Sequence, residues 1–339
     1  MNKPLRVALF GFGRIGRNIF RIGFNNPLFE FVAISDLGQP ESMHYLLMRD
    51  SIHGAMSDEI ILDGNNLTYN NHNVRLLEGG TPGSIPWDAY DIDLVIDSTG
   101  AYRTRDELQP HIDAGASRVF VTKPPKDQID RIIIKGINED TIQGNDKIIS
   151  TTSATTQVLA LMLKILDDAF GVKQAMMTTI HAYTSDQPLA DAVRSDLRRS
   201  RSAVENIIPN DTWAPEYVSQ LMPQFKDKIT GMAMNVPVAN GSCVDLTTEM
   251  KHMPSIEDVN EAFRTASENK LKDIVGYTED PIVSSDAIGS GNTMVFDTKA
   301  TMIACNKLLK TIAWFDNGWG FANRILELAE AYTSMGELE

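Results

Sequence analysis

The sequence is poor in cysteine, in long apolar runs and in positive charge. Its two cysteines, Cys243 and Cys305, cannot build a metal cluster. A disulfide between them is disfavoured in a reducing compartment, so both read as buried free thiols. No stretch of ~18 uninterrupted apolar residues occurs, which argues against a membrane span. The opening Met1-Asn2-Lys3-Pro4-Leu5 lacks the charged start, apolar run and cleavage site of a signal peptide, and a cytoplasmic location is the default expectation. Lys and Arg total 31 against 45 Asp and Glu, a formal charge of −14. Broad nucleic-acid binding needs the opposite balance. An anionic ligand would therefore need a local cluster of cations or amides. His44, His53, His72, His111 and His252 show no ligand-type spacing, and no metal site is expected.

What is present is the pattern of a two-domain globular protein. The length of 339 residues suggests two domains at ~150 residues each, and 42% hydrophobic residues suffice for ordinary cores. Leu5–Phe10 reads as a buried strand, Gly11–Arg17 as a turn entering a helix through Ile19, Phe20 and Ile22, and Phe29–Ser35 as a second strand ending at Asp36. Strands at Leu94–Ile96, Arg118–Thr122 and Lys147–Ser150 alternate with helical segments such as Arg105–Ala114, the rhythm of a mostly parallel sheet. A long helix is expected after Ser153, running through Leu166. Beyond Gly171 the longer strands Met176–Ala182, Ile229–Val236 and Cys243–Met250 suggest a separate sheet, and Asn317–Tyr332 reads as a final helix. The polar stretch Thr184–Asn210 is too long for an idle loop and points to a functional segment or an interface.

Gly11-x-Gly13-x-x-Gly16, with Asp36 twenty residues further on, carries the strongest local signal. The first glycine permits a tight turn, the second a close approach to a pyrophosphate, and the third close helix–strand packing. Arg14 and Ile15 begin the helix whose N-terminal amides face the phosphates. Asp36 would accept from the adenosine ribose hydroxyls and repel a 2′-phosphate. The motif sits in a complete strand–turn–helix–strand–acid context, which points to NAD in preference to NADP.

These residues resemble a known family. Gly11–Arg17 is similar to the GFGRIGR turn of glyceraldehyde-3-phosphate dehydrogenases, Asp50-Ser51-Ile52-His53-Gly54 to their D-S-x-H-G segment, and Asp97-Ser98-Thr99-Gly100 to their cofactor-contacting turn. Met177–Ala182 resembles the segment of their catalytic histidine, and Asn206–Pro209, Ile229–Ala233 and Trp314–Asn317 follow in family order. The resemblance implies an α/β fold: an N-terminal Rossmann dinucleotide-binding domain over 1–153, an α+β catalytic domain with a mostly antiparallel sheet over 154–316, and a C-terminal helix over 317–339 packing back on the Rossmann domain. It implies cofactor contacts from Ser98, Thr99, Gly100 and Thr122, with Asn317 on the nicotinamide carboxamide. It also implies a homotetramer with the Thr184–Asn210 loop at a subunit interface.

Family chemistry runs through a cysteine thiolate that adds to an aldehyde. Hydride leaves to NAD, phosphate cleaves the thioester, and a histidine, here His181, moves the protons. In this chain the S-C-T-T-N nucleophile motif reads Ser153-Ala154-Thr155-Thr156-Gln157, and Ala154 has no nucleophilic atom. Asn235 stands where the family has a phosphate-gripping arginine, Trp213 replaces a glycine, Glu216 a lysine, and Pro188 a frequent lysine. Phe10 replaces an asparagine, and Lys123 enters a segment beside the cofactor. Ser153, Thr155, Thr184 and Thr212 keep hydroxyls at the family's anion positions, and the plain alternative for each is a helix cap or turn residue. Arg198, Arg199 and Arg201 are candidate cations for an anionic substrate, or simply part of a solvated loop. Several changes around the anion sites favour natural divergence over a single engineered Cys→Ala exchange. The expected function is an NAD-dependent oxidoreductase acting on a small anionic aldehyde or related compound, phosphorylated by analogy. The alternative is a non-catalytic NAD-binding homologue acting as a sensor or partner subunit.

Overall fold

The computed structural model describes residues 3–305 and 307–333. Met1, Asn2, Asn306 and 334–339, the last of these part of the expected C-terminal segment, lie outside the described residues. The chain packs as two compact units. One comprises the residues up to Thr152 together with those from Ala322 onward, and the other is Ser153–Phe321.

The first unit opens with β1 (Leu5–Phe10), α1 (Arg14–Gly23) and β2 (Phe29–Asp36). Val7, Ala8 and Leu9 are fully buried, as a parallel strand covered on both faces requires. On α1, Ile19 and Phe20 turn inward, and Phe20 packs against Phe24, Phe31 and Tyr69. There follow α2 (Pro40–Met48), the ribbon β3 (Arg49–Asp50) and β4 (Gly54–Ala55), and the meander β5 (Ile61–Asp63), β6 (Asn66–Tyr69) and β7 (His72–Glu78). The unit continues with β8 (Leu94–Asp97), α3 (Arg105–Asp113), β9 (Arg118–Val121), β10 (Arg131–Ile132) and β11 (Ile148–Ser150). Among the described residues these form a nine-stranded sheet ordered β10-β11-β9-β8-β1-β2-β7-β6-β5, parallel from β10 through β7. The hairpins at its edge do not appear in the sequence reading above. Their turns are Gly64-Asn65 and Asn70-Asn71, with φ of +55° at Gly64 and +46° and +65° at the two asparagines. That is the geometry two-residue hairpins demand.

The second unit begins with α4 (Ala154–Phe170), whose Val158–Leu163 run is almost fully buried. Then come β12 (Val172–Ala182), β13 (Ile208–Asn210), α5 (Ala214–Leu221), β14 (Ile229–Val236), β15 (Ser242–Met250), α6 (Ile256–Glu268), β16 (Val275–Thr278), β17 (Met294–Asp297), β18 (Met302–Ala304) and β19 (Leu308–Phe315). Among the described residues they form an eight-stranded sheet ordered β13-β14-β12-β15-β19-β17-β16, with β18 on β19. The β12–β14 and β16–β17 pairs are parallel and the others antiparallel. Alternate residues of β19 are buried, so one face of the sheet carries the packing, and α4 lies against β12, β15 and β19. The expected fold class is thus what the chain adopts, a parallel-rich sheet and a separate, mostly antiparallel one.

The last helix, α7 (Trp319–Thr333), starts two residues later than the expected Asn317. The Asp316 carboxylate accepts from the Gly318 and Trp319 amides at 2.8 and 2.7 Å, and this tight turn holds Asn317 outside the helix. Within the first unit, Tyr332 donates to buried Asp146 at 2.9 Å and Leu326 packs beside Gly23. A second correction concerns Cys305. It is exposed, not buried, because it lies in the turn between β18 and β19 with φ +50°. None of the described helices is long and apolar enough to cross a membrane.

Candidate functional site

In the first unit, β1 delivers Gly11 to a turn that has no room for a side chain. Gly11 has φ +93°, and a Cβ on it would lie 2.7 Å from the Thr99 amide nitrogen. A Cβ on Gly16 would lie 2.4 Å from the Gly11 carbonyl oxygen and 2.9 Å from Ser98 Oγ. Gly13 is different, since a Cβ there would meet nothing within 4 Å. The first and third glycines are therefore required by the protein's own packing, while the second leaves an open approach to the start of α1. The first-turn amides of α1, which a helix leaves without intrahelical acceptors, belong to Arg14, Ile15 and Gly16. The open approach at Gly13 leads to these amides, an arrangement suited to an anion.

Asp36 sits at the end of β2 beside this turn. Its Oδ2 accepts from the Phe12 amide at 2.6 Å and its Oδ1 from the Gly38 amide at 2.9 Å. Asp36 thus fixes the glycine turn through both carboxylate oxygens. Ser98 closes the other side, its hydroxyl donating to the Gly11 carbonyl at 2.6 Å. Thr99 is held through fully buried Asp97, whose Oδ1 accepts from the Thr99 amide at 2.9 Å and hydroxyl at 2.6 Å. Behind Asp97, His111 takes the Trp87 indole N–H on Nδ1 at 3.1 Å and sets Nε2 3.7 Å from Asp97 Oδ2. Thr122 is buried with its amide on the Asp97 carbonyl, and the Lys123 alkyl chain lies over Gly100. The Asp50–Gly54 segment stands close by. The His53 side chain, with the His53 and Ile52 amides, holds the Asp50 carboxyl well below the usual carboxylate range in spite of its partial burial.

In the second unit, Ser153 caps α4, accepting from the Thr156 amide at 3.2 Å. Ala154 is the first helical residue and is partly exposed, while Thr155 is buried. β12 and β14 run in parallel with His181 and Asn235 as register partners. Both side chains reach the Ala182 carbonyl, His181 Nδ1 at 2.6 Å and Asn235 Nδ2 at 3.5 Å. A carbonyl only accepts, so Nδ1 carries a proton. Nε2 of the neutral ring is then an acceptor, and Asn317 Nδ2 lies 3.3 Å from it. The structure thus gathers His181, Asn235 and Asn317. The bonds of Thr184 and Thr212 are local: Thr184 Oγ1 donates to Asp186, and Thr212 Oγ1 accepts from the Ala214 amide at 3.3 Å.

Two of the three expected cations are already engaged. Arg199 is paired with Asp186, and Arg201 with Asp191 at 3.1 Å, so loop carboxylates already compensate two of the three arginines. Asn235 is buried and accepts from Asn210 at 3.4 Å, a neutral amide pair where the family pattern has a guanidinium. Cys243 cannot stand in for the missing nucleophile. Burial and the nearby Asp245 charge push its thiol up to about 12. No group of three or more His, Cys, Asp or Glu placed to hold a metal ion occurs among the described residues. Sequence reasoning missed Ser242, Asn240 and Asp316, which brace Asn317. The polar Asn240-Gly241-Ser242 run just before an apolar strand was the available signal.

Comparison with known proteins agrees with this geometry. Residues 5–105 match the model of the glyceraldehyde 3-phosphate dehydrogenase NAD binding domain, and residues 153–317 match that of the C-terminal domain of the same enzyme. The chain belongs to the glyceraldehyde-3-phosphate dehydrogenase family. It is 40% identical over 333 residues to glyceraldehyde-3-phosphate dehydrogenase 1 of Bacillus subtilis, covering 98% of this chain and 99% of that one. The Geobacillus stearothermophilus glyceraldehyde-3-phosphate dehydrogenase is 39% identical, with the same coverage. Glyceraldehyde-3-phosphate dehydrogenase 2 of Trichormus variabilis is 40% identical over 330 residues, 96% of this chain and 98% of that one. The expected family and NAD as cofactor are thereby established.

The glycine turn can be tested directly. Gly16→Ala forces a Cβ against a backbone carbonyl, and overpacking of this kind costs about 1–3 kcal/mol. We expect a lower denaturation midpoint and at least roughly tenfold weaker NAD binding, both read by calorimetry. Unchanged NAD affinity would remove this turn from the cofactor site.

Proposed function

We propose that this protein is an NAD-dependent oxidoreductase of a small anionic aldehyde or related hydroxy compound, with His181 as its general acid/base. The observation that supports this reading is the tautomer of His181, Nδ1–H on the Ala182 carbonyl and Nε2 free of its proton in the neutral ring. NAD, when bound, supplies the hydride acceptor. The first unit binds it, with Gly11, Gly13, Arg14, Ile15 and Gly16 at the pyrophosphate, Asp36 at the ribose, and Ser98, Thr99, Gly100 and Thr122 further along. Asn317 is assigned to the carboxamide. Because Ala154 offers no nucleophile, the family's thioester route is closed. His181 takes the hydroxyl proton of an alcohol or aldehyde hydrate at Nε2 as the carbonyl forms, and returns it in the reverse direction. Ser153, Thr155, Thr184, Thr212 and Asn235 are assigned to the substrate as hydrogen-bonding groups.

The experiment is a screen of phosphorylated and carboxylated aldehydes and hydroxy acids, read by the absorbance of reduced nicotinamide. Turnover on at least one is the expected result. Tight NAD binding with no turnover on any of them would favour the second reading, a non-catalytic NAD-binding homologue, for which Ala154 itself speaks. The reading includes a cytoplasmic homotetramer. The exposed Leu189, Val193, Leu197, Ile207 and Trp213 along and just after the Thr184–Asn210 loop support an interface there.

Cofactor choice follows from Asp36. A 2′-phosphate beside its carboxylate would set like charges together at a cost of several kcal/mol, so NADP should bind at least about a hundredfold more weakly than NAD. Titration calorimetry with both nucleotides decides it, and equal affinities would exclude Asp36 as the ribose contact.

A further inference from the structure

Ser242, the first residue of β15, is fully buried and touches both groups that hold the His181 ring. Its oxygen accepts from the Ala182 amide at 2.9 Å, and its single proton goes to Asn317 Oδ1 at 2.8 Å. Ala182 in turn takes Nδ1–H through its carbonyl, and Asn317 presents Nδ2 to Nε2. The backbone of Asn317 is fixed independently. Its amide donates to Asn240 Oδ1 at 2.9 Å, and Asn240 Nδ2 donates to Asp316 at 2.8 Å. What remains to be set is which end of the Asn317 side-chain amide faces the histidine. Ser242 sets it. With the amide reversed, Oδ1 would point at a lone pair on Nε2, and the fully buried Ser242 hydroxyl would lose the acceptor of its proton.

We propose that Ser242 is a positioning residue for His181: by pinning the Asn317 amide, it keeps the imidazole as a single Nδ1–H tautomer whose Nε2 lone pair rests on Asn317 Nδ2 until a substrate hydroxyl takes that place. The proposal rests on His181 being the acid/base group. It adds a residue that acts through Asn317 and touches neither substrate nor cofactor. Phe315, edge-on to the ring at 6.3 Å, limits the ring's plane but not its tautomer.

The test uses the full-length, cofactor-free protein labelled with nitrogen-15 histidine, at alkaline pH where the ring is neutral. Long-range nitrogen–proton correlation spectra report which ring nitrogen bears the proton. The His181 signals are those lost in His181→Gln. Wild type should show one tautomer, with the proton on Nδ1 and Nε2 shifted by an accepted hydrogen bond. Ser242→Ala should move the Nε2 resonance and mix the tautomers, and Ser242→Thr should restore the wild-type pattern. In an Asn317→Ala background, Ser242→Ala should add no further shift, because the group through which it acts is gone. Unchanged ring signals in folded Ser242→Ala would overturn the proposal, as would equal shifts with and without Asn317. If Ser242→Ala does not fold, Ser242→Cys, close in size and a weaker donor, takes its place in the same comparison. Turnover retained in His181→Ala alongside the expected spectra would count against the acid/base reading alone.

Discussion

Ala154→Cys should turn this protein into an acylating aldehyde dehydrogenase, with a gain of about 10⁴-fold or more in aldehyde-dependent reduction of NAD. The size follows from what loss of a nucleophile costs, about 10⁴–10⁶ in rate. The local structure is ready for the thiol. Position 154 is the first residue of α4, partly exposed, with Ser153 already capping the helix. Thiols at helix N-termini have pKa values lowered to ~3.5–7.5, because the first-turn amides stabilise the thiolate. The new thiol should therefore react with iodoacetamide at neutral pH beyond the labelling of exposed Cys305 seen in the unmodified protein, whereas buried Cys243, pushed up to about 12, should stay silent. Substrate choice gives a second readout. If the neutral Asn235–Asn210 pair faces the substrate as proposed, a phosphorylated aldehyde should bind weakly, and adding Asn235→Arg should lower its KM with little change in kcat. A thiol at 154 that neither alkylates readily nor adds NAD reduction with any aldehyde would show that the start of α4 is not an acyl site here.

His181→Ala should lower the turnover of any substrate found by about 10²–10⁴-fold, the usual contribution of a positioned general base. NAD affinity should fall far less than turnover, since the pyrophosphate and ribose contacts assigned to the first unit are left untouched. The two measurements together separate a chemical role from a structural one. A histidine that merely filled space beside Phe315 would, on removal, lower the melting temperature and leave turnover per folded molecule intact. Retained turnover would falsify the acid/base assignment.

The glycine turn was legible in the sequence because its constraints are local. Gly11 and Gly16 are demanded by atoms of the turn and its neighbouring strand, and Asp36 closes the same βαβ unit. The start of α4 was legible for a similar reason, since a serine before an apolar run is its own cap. The edge hairpins were legible in principle, because Asn70-Asn71 is a turn signal and Asn66–Tyr69 alternates polar with apolar, but four residues are too short a run to stand out. The bracing of Asn317 by Ser242 was not legible. It arises from the pairing of β15 with β19, which sets Ser242 opposite Phe315, and from the Asp316 turn that follows. Residues 75 apart in the chain meet only once that register exists. The loss of charge around Asn235 was visible from the resemblance, but the pairing of Arg199 and Arg201 with loop carboxylates was not.

The first unit is built from both ends of the chain, while Ser153–Phe321 is one continuous segment. During synthesis the inserted segment has all its parts before the unit around it does. The unit around it lacks the Tyr332 partner of Asp146 and the Leu326 cover of Gly23 until α7 has been made.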